Sequence, residues 1–200
     1  MAIRPVARAA LVGCCVLCIA SCSVSARISQ GQRSSIEQIL LARSLERSIA
    51  QLDTAKLTGK TVGLEVYGLT ADRQFAEKLV GASLQQRGVK LATDASRADV
   101  TVKVFLTALG IDTGSTLIGL PAFNAPVLNA PIPEIALFKS ERNRGHTQVR
   151  LYAFDQATQR LVEKSRPVDG RSKFDEYTLL LVINFTVDDL DQPPANAAAD

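Results

Sequence analysis

Val100-Thr-Val-Lys-Val-Phe-Leu-Thr-Ala-Leu109 alternates without a break: Val100, Val102, Val104 and Leu106 fall on one side, and Thr101, Lys103, Phe105 and Thr107 on the other. A side-chain period of two is the period of a strand, so this stretch is a sheet strand with one apolar face turned to a core. Upstream, Thr61–Leu69 is dense in β-branched and aromatic residues and is bounded by Gly59 and the Thr70-Ala-Asp72 turn, which makes it a second strand. Two helices flank it. Ser34-Ser-Ile-Glu37 has the spacing of a capping box, and Ile36, Ile39, Leu40, Leu45, Ile49 and Leu52 recur near the helical period. They predict an amphipathic helix of about 18 residues. Asp72 or Thr70 caps the second helix, which runs to Arg87 with Phe75, Ala76, Leu79, Val80 and Leu84 inward and Gly88 as its stop. Val89–Thr93 is a short strand.

Downstream the pattern loosens. Residues 113–133, TGSTLIGLPAFNAPVLNAPIP, carry no charge, and four prolines, two glycines and two asparagines rule out a helix there, in lipid or in water. The stretch reads as a long irregular apolar loop. Glu134–Ser140 and Thr147–Asp155 read as two strands around a polar turn, ERNRGH, in which Asn143 or Gly145 supplies positive φ. Leu161–Lys164 follows, Gly170 marks another turn, and Tyr177–Val187 is a last strong strand. The predicted class is α+β: a mixed or mainly antiparallel sheet of four to six strands with two helices packed on one face. Residues 34–188 form this one domain, and 189–200 are an acidic, then Pro/Ala-rich, disordered tail.

The chain has 200 residues, 46% hydrophobic and 22% charged, which is the composition of a globular protein. Its cysteines are placed unevenly: Cys14, Cys15, Cys18 and Cys22 all lie in the first 22 positions. Met1–Arg8 carries two arginines and no acid, and Ala9–Ala20 is a run of twelve small or apolar residues closing on Ser21 and Cys22. A charged start, an apolar run and a small-residue exit make a secretory signal, and the run is too short for a permanent span of ~20 residues. Cys15 and Cys18 have Cys-x-x-Cys spacing, but within that run they act as small hydrophobes. Removing Arg4 and Arg8 with the leader leaves 21 basic against 20 acidic residues, a balance that gives nucleic acid no concentrated basic face to bind. Ser23–Arg33 is a polar tether.

Ile19-Ala20-Ser21-Cys22 resembles the lipobox of bacterial lipoprotein precursors. That resemblance implies residues 1–21 as signal peptide, cleavage before Cys22, a diacylglyceryl thioether on Cys22 with an acylated amino terminus, and residues 22–33 as lipidated tether. Several acyl chains at ~0.8 kcal/mol per buried methylene give a lasting anchor. Ser23 after the cysteine implies the outer membrane under enterobacteria-like sorting. The body, in SSIEQILLARSLERSI, KTVGLEVYGL, PEIALFKSERNRG and LYAFD, is similar to a family of uncharacterised bacterial lipoproteins with a domain of unknown function, which brings no activity with it.

Signs of catalysis are sparse. His146 is the one histidine, sits in the expected ERNRGH turn, and completes no nucleophile–base set. Gly110-Ile-Asp-Thr-Gly114 contains the Asp-Thr-Gly of aspartic proteases once, without the second aspartate of a shared-proton dyad. No phosphate loop, metal spacing or cofactor motif is present in the sequence. Two non-catalytic candidates remain. The apolar loop, with Leu117, Ile118, Leu120, Phe123, Val127, Leu128 and Ile132, is either a lid over the sheet or a surface that docks on a membrane or partner. The basic set Lys139, Arg142, Arg144 and Arg150 is either a solvated turn or a contact for anionic head groups or glycans. The expected function is that of an outer-membrane-anchored periplasmic lipoprotein, a non-enzymatic binding or assembly module. It is held to the membrane by acyl chains on Cys22 and has an envelope protein partner, no nucleic acid and no small-molecule cofactor. The alternative is a periplasmic hydrolase using carboxylates near Asp112.

Overall fold

A computed structural model describes residues 33–125 and 130–192; Ile19, Ala20, Ser21, Cys22, Val127 and Leu128 lie outside them. Helix α1 spans Ser35–Ala50 and α2 spans Arg73–Gln86. The strands are β1 Thr61–Gly68, β2 Lys90–Leu91, β3 Val100–Leu120, β4 Phe123–Ala125, β5 Ala130–Ile132, β6 Ile135–Asp155, β7 Leu161–Lys164, β8 Val168–Leu179 and β9 Ile183–Asp188. Seven of them form one mixed sheet in the order β2-β1-β3-β6-β8-β9, with β7 also on β6. The β1–β2 and β1–β3 pairs are parallel and the others antiparallel.

Both helices form where the periodicity places them, but Asp72, one of the two caps expected for α2, makes no side-chain capping hydrogen bond. The capping box at Ser34 is complete: the Ser34 hydroxyl accepts from the Glu37 amide, and the Glu37 carboxylate accepts from the Ser34 amide. Gly88 (φ 79°) ends α2 in a Schellman motif, in which the Val89 amide donates to Leu84 O and the Gly88 amide to Gln85 O. The Arg87 guanidinium then donates to Ile49 O and Leu52 O, tying the end of α2 to that of α1. Both helices lie on one sheet face. There Val62, Val66, Val100, Val102, Val104, Val149 and Leu151 meet Leu45, Ile49, Val80 and Leu84 in a single core. Two inward assignments fail, since Ile39 and Phe75 are exposed.

The sheet differs from the sequence reading in three ways. Residues 113–120 are not a loop but the far half of β3, and Phe123–Ala125 pairs antiparallel with Ala130–Ile132 as β4 and β5. ERNRGH is not a turn: β6 runs through it unbroken, with β3 on one side and β8 on the other. Arg142, Arg144 and His146 fall on one sheet face and Glu141 on the other, and the sequence mistook that polar run for a connection. Gly145 and Gly170, expected in turns, pair within β6 and β8 without positive φ. Their missing Cβ atoms let α1 approach instead. A Cβ on Gly145 would stand 2.5 Å from Leu40 O. Around them the Ser172 hydroxyl donates to Leu40 O at 2.7 Å, and the Ser44 and Thr147 hydroxyls share a 2.8 Å bond, all of them buried.

Tyr177–Val187 is not one strand but a hairpin, because Leu180 and Leu181 take φ of 48° and 69°. The Val182 amide donates to Leu179 O, which closes a turn with both central residues left-handed. Asn and Gly are the residues suited to such a turn, and each non-glycine there stores about 1–3 kcal/mol. The pair L180N/L181G is expected to stabilise the domain by about 1–2 kcal/mol, read as a melting temperature higher by several degrees at unchanged far-UV dichroism. Arg47 pairs with the Asp189 carboxylate and donates to Gln192 O, while residues 193–200 of the expected tail lie outside the described residues.

Candidate functional site

Helices cover one face of the sheet; the other face is open, and the outward half of the Val100–Leu109 alternation lies on it. Lys103, Phe105 and Thr107 of β3 and Arg150, Tyr152 and Phe154 of β6 line a shallow groove of about 420 Å³. Register explains the grouping, because Phe105 stands opposite Arg150 and beside Tyr67, while Lys103 stands opposite Tyr152 and beside Glu65. The Tyr67 and Phe105 rings stack at 5.2 Å, and Phe105 meets Tyr152 edge-on at 5.7 Å. Lys103 Nζ lies 5.7 Å over Phe154, and Lys164 Nζ of β7 lies 5.7 Å over Tyr152.

Charge within the groove is only partly balanced. Lys103 approaches Glu65 at 3.7 Å, and Glu65 also accepts from the Tyr67 hydroxyl at 2.6 Å, which raises the Tyr67 phenol above its ordinary range. Arg150 makes no ion pair among the described residues, and its buried Nε has no hydrogen-bond partner. The Arg150 side chain thus lines the groove together with Phe105, Tyr152 and Phe154. Of these residues the sequence had singled out only Arg150. The signal for the rest was Phe105, an aromatic ring on the outward side of a strand.

The other sequence candidates scatter. Lys139 pairs with Glu141 at 2.9 Å and Glu134 at 3.0 Å, and their hydrogen bonds, Glu141 first, raise its pKa. Arg144 pairs with buried Asp175 at 2.8 Å, and Arg142 lies across Gly114. The basic set is therefore no single patch, and Arg150 sits in the groove apart from the other three. His146 faces the open side, where its Nε2 lies 3.2 Å from Asp169 Oδ1. Hydrogen bonds from Gln148 and then His146 hold the Asp169 carboxyl below its usual range. Asp112 is exposed, its register neighbours are Arg144 and Lys173 rather than a second acid, and it does not line the groove. Ile118, Leu120 and Phe123 are exposed, Leu117 stands beside Lys139, and Ile132 pairs with Phe123. No group of three or more His, Cys, Asp or Glu that could hold a metal occurs among the described residues. Nor, among them, is any helix long and apolar enough to cross a membrane.

No family model matches the chain, and no curated protein matches it. Among the solved structures that are similar over part of the chain are the following two. One is a neuraminyllactose-binding hemagglutinin homolog from Helicobacter pylori, at 10% identity over 60% of this chain and 68% of that one, with a TM-score of 0.32. The other is lipoprotein GNA1162 from Neisseria meningitidis, at 8% identity over 59% of this chain and 82% of that one, with a TM-score of 0.29.

Proposed function

We propose that this chain is an envelope lipoprotein, anchored by acyl chains on Cys22 and facing the periplasm from the outer membrane. On this reading it acts without catalysis, by binding an acidic segment of an envelope protein partner on the open face of its sheet. The observation that carries the binding reading is Arg150, which makes no ion pair among the described residues and lines a groove walled by Phe105, Tyr152 and Phe154. A peptide carboxylate satisfies the guanidinium, and the peptide's apolar atoms cover the rings. The anchor reading rests on the Ile19–Cys22 stretch at the end of the apolar run.

One experiment with two arms tests both. A photoreactive benzoylphenylalanine in place of Phe105 in the full chain, irradiated in intact envelopes, is expected to give a discrete protein adduct that Arg150→Glu abolishes. An adduct to glycan, or a protein adduct indifferent to Arg150→Glu, overturns the acidic-peptide reading. In the second arm Cys22→Ala abolishes palmitate labelling and releases the domain from membranes. Continued sedimentation with membranes overturns the anchor.

A further inference from the structure

Beyond the core, β3, β6, β8 and β9 continue as a four-stranded antiparallel arm, and among the described residues both of its edges are open. On one side β1 pairs only with Val100–Leu106 of β3, so Thr107–Leu120 has no strand beside it among the described residues. On the other side the sheet ends at β9. We propose that the arm joins copies of this chain: β9 of one copy adds antiparallel to the free half of β3 in the next. The inference does not rest on the groove or on the anchor.

Direction is the first argument. Successive strands of the arm alternate, and four is an even number, so β9 runs opposite to β3. A second copy whose arm points the same way therefore presents β3 antiparallel to β9, and the ladder continues unchanged. An odd number of strands would have demanded a parallel pair.

Absence of protection is the second. Edges are ordinarily blunted by lysine, proline or shortness. β9, Ile183-Asn-Phe-Thr-Val-Asp188, has no lysine, arginine or proline, and Thr107–Leu120 has Asp112 as its one charge and no proline. All six residues of β9 are exposed, and so are most of residues 112–120.

The side chains are the third. Ile118, Phe138, Leu179 and Ile183 form one rung across the open face, and Tyr177 and Phe185 stack in the next with ring centroids 5.0 Å apart. The rungs stop at exposed Ile183 and Phe185 and at exposed Ile118. Joining the edges sets the first two against the third, the cross-strand contact that stabilises sheets. A second copy is the occupant favoured because both complementary edges belong to one arm.

Face-specific cross-linking in the full chain, extracted in mild detergent, tests this. Thr186 pairs with Glu176 on the helix side of the sheet, where Thr113, Ser115 and Leu117 also lie. Thr186→Cys combined with cysteine at one of those three positions is expected to give intermolecular disulfides on mild oxidation. Combined with cysteine at Asp112, Gly114 or Thr116, on the opposite face, it gives none. Sedimentation is expected to show at least twice the monomer mass for the unmodified chain, falling to monomer mass in F185K/V187K with the far-UV spectrum retained. If Thr186→Cys misfolds, Asn184→Cys serves on the same face. Monomer mass for the unmodified chain, no cross-link with any pair, or cross-linking from both faces alike overturns the proposal.

Discussion

Gly170→Ala is expected to cost the domain about 3–4 kcal/mol and to lower its melting temperature by about 10 °C, at roughly 2–4 °C per kcal/mol for a domain of this size. The alanine Cβ would stand 1.8 Å from Ser44 O and 2.6 Å from Ser48 N, both backbone atoms of α1. No rotamer relieves that clash, so the helix must lift. Lifting it stretches the buried bonds from Ser172 to Leu40 O and between Ser44 and Thr147, and it loosens Leu45 and Ile49 in the core. Gly110→Ala is the control. Its Cβ meets nothing within 4 Å and its φ is not positive, so it changes stability by under about 0.5 kcal/mol. Thermal denaturation of the two variants decides the matter: a Gly170→Ala melting point within two or three degrees of the parent would show that α1 does not need the glycine.

Gly170 also shows where reading the sequence stopped. A glycine amid polar residues is locally a turn signal, and the reason for this one is a helix more than 120 positions away. Elements whose causes are local were legible: the capping box at Ser34, the Gly88 stop, and the alternation from Val100 to Leu106. The arm was not. Its outer strands, residues 112–120 of β3 and β9, are mostly exposed, and where α1 covers β6 and β8 it does so over glycine, serine and threonine, so no buried apolar stripe marks the arm, and charge in ERNRGH or its lack in 113–120 looked like connection. The Leu180–Leu181 turn was hidden for the opposite reason, since it uses residues whose chemistry belongs to a strand. The groove was half legible. The alternation placed Lys103, Phe105 and Thr107 outward, but only sheet order brings Arg150, Tyr152 and Phe154 alongside them.

Arg144→Ala tests the other side of that misreading. Arg144 was expected in a solvated or anion-binding turn, yet its guanidinium is the ion-pair partner of Asp175, whose side chain is only 5% exposed. Asp175 Oδ1 is buried without a hydrogen bond, so the charge depends on Arg144 at Oδ2. Removing one member of a fully buried pair costs about 3–5 kcal/mol. Arg144 is 42% exposed and partly screened, which reduces the expected loss to about 2–3 kcal/mol. Asp175→Asn, which removes the buried charge and keeps the shape, should cost less. R144M/D175L, which removes both charges and fills the space, should recover most of the loss. Guanidinium denaturation should show these differences in the midpoint with an unchanged slope. If Arg144→Ala and Asp175→Asn cost the same and their effects add in the double variant, the two side chains are not coupled and Asp175 is stabilised by something else.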